Sequence, residues 1–200
     1  MVKHQRYSNV WREQMFLTLA LIVVFSGLRV TMVGSELPNI MPLMAVAFTS
    51  SAYLNSRYHW LMPVAIMTLS DILISHSYGV SPVSAWSLVG GCCYIAAALF
   101  GKYMINTKSW LSLLFGTVAM TFLFYFVSNT FVFLTSSSYG FTLSEWVRSL
   151  TVGIPGYPPT YVFLRNSLIG DLSFTLFFIA VTEASRFSLK RQNYQALPLY

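Results

Sequence analysis

Charge is what this sequence has least of. Lys, Arg, Asp and Glu make up 9% of its 200 residues, where a soluble domain would carry about 25%. With 56% of the residues hydrophobic, the shortfall excludes an ordinary soluble domain and indicates an integral membrane protein. Acidic residues number six against twelve Lys and Arg, a net charge of +6. That balance would suit nucleic acid if the basic residues formed a stripe. They are scattered over short loops and tails instead, so no nucleic-acid partner is expected. Cysteine is nearly absent: Cys92 and Cys93 are adjacent in an apolar stretch. Helix neighbours point about 100° apart, which suits neither a disulfide nor a shared metal site. They read as small buried residues, with a thiol contact to a bound substrate as the alternative.

Several motifs are also missing. Without a P-loop, the chain cannot itself use ATP by that route. There is no His-Glu-x-x-His and no serine nucleophile motif paired with a histidine. No enzyme activity, cofactor or metal is therefore expected. The first apolar stretch lacks a small-x-small cleavage site and ends in Arg29, so it reads as a retained first helix. Internal repeats and low-complexity runs are absent, and the whole chain, 1–200, reads as one transmembrane domain.

What the sequence does have is six apolar stretches, at about 15–33, 40–54, 60–78, 84–104, 111–134 and 162–182. A membrane crossing needs roughly 20 residues. The second stretch is short and reads as tilted, broken or partly re-entrant. The expected fold is all-α: a bundle of six transmembrane helices in the lipid bilayer. Lys3, Arg6, Arg12, Arg57, Lys102, Lys108, Arg186, Lys190 and Arg191 all fall on one side if both termini are cytoplasmic. The opposite loops hold only Arg148, with Arg165 opening the sixth stretch. This positive-inside bias sets the direction. Trp11, Trp60, Trp86, Trp110 and Trp146 sit at the predicted borders, where amphipathic rings anchor a bundle.

With that direction, four intramembrane charges share the outer half: Arg29, Asp71, Arg165 and Asp171. A charge at such depth costs several kcal/mol unless paired or wetted, so each marks a candidate functional site. Asn39, Asn129 and Asn166 add amides at the same level. Arg165 can snorkel to the headgroups. Asp171 lies about 9 Å deeper than Arg165 and does not share its helical face, so Arg29 is the expected partner of Asp171. Two readings stay open. The set lines a polar pocket for a small solute, or it forms interhelical salt bridges that bind nothing. His76, near the outer end of the third span, reads as interfacial or capping, with a pocket wall as the alternative.

The long outer connection carries its own pattern. Thr142-Leu143-Ser144-Glu145 looks like a capping box. Leu143, Trp146, Val147 and Leu150 then recur at helical spacing, predicting a short amphipathic helix over about 142–152. It either lies at the membrane interface or covers an outward pocket.

These motifs also carry a resemblance. Leu37-Pro38-Asn39-Ile40-Met41-Pro42, Leu69-Ser70-Asp71, Ser128-Asn129-Thr130 and Arg165-Asn166-Ser167-Leu168-Ile169-Gly170-Asp171 resemble an uncharacterised bacterial family of small six-helix membrane proteins regarded as candidate transporters. That family looks like the S components of energy-coupling factor (ECF) transporters. The likeness implies a multi-pass protein of the bacterial inner membrane that captures a micronutrient from outside. It also implies a transmembrane coupling subunit with paired ATPases as partner. S components often carry an Ala-x-x-x-Ala patch on the first helix; here that span reads Leu19-Ala20-Leu21-Ile22-Val23-Val24.

The expected function is thus capture and transport of a small polar solute, by Arg29, Asn39, Asp71, Asn129, Arg165, Asn166 and Asp171. Two other classes compete. The chain could be a non-catalytic structural subunit of a membrane complex. It could be an intramembrane aspartyl protease using Asp71 and Asp171. Gly170-Asp171 partly echoes the Gly-x-Gly-Asp motif of such proteases, but Leu168 replaces the first glycine, and nearby arginines favour two charged aspartates over a shared proton.

Overall fold

In this computed structural model, residues 19–20, 22–32, 40, 42–53, 60–104 and 109–195 are described. Among them the chain forms seven helices: α1 (Ile22–Met32), α2 (Leu43–Tyr53), α3 (Leu61–Tyr78), α4 (Ala85–Met104), α5 (Trp110–Thr135), α6 (Leu143–Leu150) and α7 (Thr160–Gln195). Four of these, α3, α4, α5 and α7, are long and apolar enough to cross a membrane. Large apolar side chains such as Leu88, Phe115, Phe122 and Phe177 stand exposed on their outer faces, as lipid contact requires. The protein is a multi-pass, all-α membrane protein.

The second predicted span takes a different form. α2 has 11 residues, about 16 Å at the helical rise, roughly half of a 30 Å hydrocarbon core. Every residue from Leu43 to Ala52 is buried. A helix apolar on all sides belongs inside a bundle, and α2 packs against α3, α4, α5 and α7. Small residues permit this. A Cβ added to Gly101 of α4 would come 2.1 Å from the Phe48 carbonyl oxygen, and one on Gly116 of α5 would come 2.2 Å from the Phe48 ring. Glycine on both sides is what lets the fully buried Phe48 and its backbone fit there.

The sixth predicted span also differs, because its helix runs on well past residue 182. α7 has 36 residues, about 54 Å, so its last turns continue beyond a hydrocarbon core of about 30 Å. α5 and α7 meet along a polar seam where the Thr117 and Thr175 hydroxyls lie 3.0 Å apart. If α3, α4, α5 and α7 cross in succession, the 79–84 turn and the 136–159 segment lie at the same end of the bundle. The site is at that end.

Candidate functional site

Arg29 approaches from α1. One turn earlier, Ser26 donates to the Ile66 carbonyl at 3.2 Å, fixing α1 against α3. Arg29 then donates through Nη1 to the Met67 carbonyl at 3.3 Å, to Ser70 Oγ and to Asp71 Oδ1. Ser70 Oγ donates back to the Ile66 and Met67 carbonyls, so the α3 groove that receives Arg29 is itself braced. The ion pair is therefore Arg29–Asp71. The expected Arg29–Asp171 pairing is corrected: Asp71 lies within reach on the neighbouring α3, while Asp171 is engaged elsewhere. Both side chains keep some exposure, 26% for Arg29 and 16% for Asp71.

That exposure is to cavity. A space of about 430 Å³ is lined by Arg29, Asp71, Ser75, Gly90, Tyr94 and the turn between α3 and α4. A second, of about 480 Å³, is lined by Arg29, Tyr125, Asn129, Val132, Phe163 and the segments flanking α6. Arg29, Trp86 and Phe124 belong to both linings, so the two spaces adjoin there. Tyr94 stacks on Phe124 with centroids 5.6 Å apart. Among the residues lining the two spaces, Arg29 and Asp71 carry the only formal charges. Each volume falls in the range of small-molecule sites.

The remaining expected residues take other positions. Asn129 lines the second cavity, and its Nδ2 donates to the Tyr125 carbonyl of its own helix at 2.7 Å. Asn166 is buried, and its Oδ1 accepts from Nε and Nη2 of its neighbour Arg165 at 3.2 and 3.1 Å. Arg165 is exposed, and neither it nor Asn166 lines the two cavities. Asn39 lies outside the described residues. His76 is exposed near the end of α3, where its carbonyl accepts from the Gly79 amide. Cys93 is buried as expected, whereas Cys92 is exposed.

Asp171, 1% exposed, caps a helix from outside it. The Pro42 carbonyl accepts the first helical bond of α2, from Val46. Pro42 therefore stands at the capping position, yet it has no side-chain acceptor for the free amides that follow. Asp171 supplies one: Oδ1 accepts from the Ala45 amide at 2.9 Å, and the Met44 amide also bonds this carboxyl. Oδ2 accepts from Thr121 Oγ1 at 2.7 Å. The signal was present in the sequence as a missing N-cap before a small-residue helix.

The amphipathic element forms as predicted, from Leu143 to Leu150. Thr142 Oγ1 accepts from the Glu145 amide at 3.3 Å, which is half of a capping box. The Glu145 carboxylate turns instead to Arg148, at 2.6 Å. Trp146 Nε1 donates to Thr130 Oγ1 at 3.1 Å, and Tyr125 OH donates to the Leu150 carbonyl. These bonds dock α6 on α5, while Leu143 and Val147 stay exposed. α6 itself lines neither cavity; Tyr139 before it and Ile154, Tyr157 and Pro158 after it wall the second one. Arg148 sits 4.9 Å over the Tyr139 ring. Burial raises the Tyr139 phenol above its ordinary pKa, against the opposing pull of Arg148.

The aromatic wall was not anticipated. Trp86 read as a border anchor, a role that the residue type alone implies. Its place beside Arg29 depends on how α4 turns toward α1, which no single stretch of sequence specifies.

Residues 9–196 match the model of a family described as a family of unknown function (DUF6580). No curated protein and no solved structure matches the chain.

Proposed function

We propose, for a chain that belongs to this family of unknown function, that it captures a small polar solute within the membrane. The observation that carries this reading is the meeting of two cavities at one partly exposed ion pair. A salt bridge serving only to join helices would be sealed among side chains. Arg29 and Asp71 instead face space large enough for a ligand. Lys102 lies near the far end of α4, and Arg186, Lys190 and Arg191 in the last turns of α7, away from this end of the bundle, so the positive-inside rule directs this mouth outward. Solute enters from outside, past the segments that flank α6.

Asp71 pairs with Arg29, whereas both oxygens of Asp171 accept bonds from α2 and α5. Carboxylates with separate partners are poorly placed to share a proton, which speaks against an aspartyl protease. The likeness to S components extends the reading to delivery through a membrane partner with ATPases, which gentle co-purification tests.

Native mass spectrometry of the gently extracted full chain tests capture itself. A retained small molecule is expected, and Asn129→Trp, which fills the second cavity, should release it. Absence of any retained solute, or a solute unaffected by Asn129→Trp, would contradict this reading.

A further inference from the structure

The two cavities differ in chemistry. Serine hydroxyls wall the first: Ser75, Ser81, Ser84 and Ser87. Aromatic rings wall the second: Trp86 from α4, Phe124 and Tyr125 from α5, Phe163 from α7, and Tyr139 and Tyr157 from the segments flanking α6. Four of these six rings are fixed by contacts of their own. Trp86 meets Phe131 edge to face with centroids 5.8 Å apart, and Phe124 stacks on Tyr94. The Tyr125 hydroxyl donates to the Leu150 carbonyl, and Arg148 sits over the Tyr139 ring. Walls held in this way lose little freedom when a ligand arrives.

Rings on several sides suit two kinds of ligand, a cation or another ring. Charge decides between them. Arg29 lines this cavity and Asp71 does not, so a cation would face the positive half of the ion pair. An anion fares no better. Arg29 is already paired with Asp71, and no second cation stands among the described residues that line the space. A charge taken from water without a counter-charge of its own is costly. An uncharged ring escapes both penalties. Asn129, Ser128 and Thr160 add an amide and two hydroxyls to the same wall, groups that can hydrogen-bond polar atoms at the edge of a ring.

We infer that the second cavity takes an uncharged molecule built on an aromatic or heteroaromatic ring with hydrogen-bonding groups at its edge. The inference rests on the solute-capture reading and names its substrate class.

Saturation-transfer NMR titration of the full chain in nanodiscs, with empty nanodiscs as the blank, tests this. The probes are benzamide, cyclohexanecarboxamide, benzoate and benzylamine. The second removes the aromatic ring at nearly constant size, and the last two add a charge of either sign. Benzamide should bind. Cyclohexanecarboxamide should bind about threefold to tenfold more weakly, the scale of one aromatic pair. Benzoate and benzylamine should each bind at least about tenfold more weakly. Tyr157→Leu combined with Phe163→Leu should narrow the gap between benzamide and cyclohexanecarboxamide. Equal binding of cyclohexanecarboxamide to the wild type overturns the inference, since the cavity would then be apolar without preferring rings. Binding of either charged probe on a par with benzamide overturns it too, as does an unchanged gap in the double variant. Should that variant fail to fold, the wild-type order decides. If benzamide does not bind while mass spectrometry shows a retained solute, the ring inference fails and capture stands. If no solute is retained either, capture itself fails.

Discussion

Replacing Asp171 should loosen the whole bundle, because its carboxyl ends a helix that has no cap of its own. Asp171→Ala strands the Met44 and Ala45 amides and the Thr121 hydroxyl in a buried site. Each unsatisfied buried group costs about 1–3 kcal/mol. Thr121 also donates to the Thr117 carbonyl at 3.0 Å, so its loss is softened. The sum is about 3–5 kcal/mol, with the two amides carrying most of it. Asp171→Asn keeps one carbonyl oxygen for the helix end, and Asn caps about as well as Asp. Its amide nitrogen must then face Thr121, so about 1–2 kcal/mol is expected. Thr121→Val should cost about 1 kcal/mol and lose most of that cost in an Asp171→Ala background. The assay is unfolding of the purified protein in mixed micelles by SDS titration, followed by circular dichroism. An Asp171→Ala protein within about 0.5 kcal/mol of wild type, the scatter of surface changes, would refute the capping account. Solute binding by Asp171→Asn should persist, since its carboxyl lines neither cavity.

Gly101→Ala should cost about 3 kcal/mol, the upper end of overpacking, because the obstacle 2.1 Å away is the Phe48 backbone. Gly116→Ala should cost less, since it meets the Phe48 ring, which can turn; the same titration ranks the two. Tyr125→Phe and Trp146→Phe each remove a bond between α5 and α6, worth about 1 kcal/mol. Together they should raise amide hydrogen exchange across 143–150 while leaving α3 unchanged.

Much of the fold could be read in advance because hydropathy and punctuation are local. The third, fourth and fifth stretches match α3, α4 and α5 to within about two residues, as did the short outer helix. The burial of α2 was hidden, because a helix facing protein and one facing lipid share the same apolar composition. The continuation of α7 was hidden because a basic tail reads as loop whether or not it is helical. Within the site, Arg29, Asp71 and Asn129 stood out as polar groups in apolar stretches, and all three line cavity. Which charges would pair was not legible, since pairing depends on how helices are rotated about their axes. Asp171 drew attention by the same rule as Asp71, yet it serves backbone amides. The rule detects the cost of burying a charge, not what offsets it.

The central claim is a hydrated, outward-facing hollow beside Arg29. Ser87 lines the first cavity and gives direct access to it. With Cys92 and Cys93 replaced by alanine, Ser87→Cys should react in intact cells with a membrane-impermeant maleimide. A thiol that stays unlabelled until the membrane is opened would contradict the account.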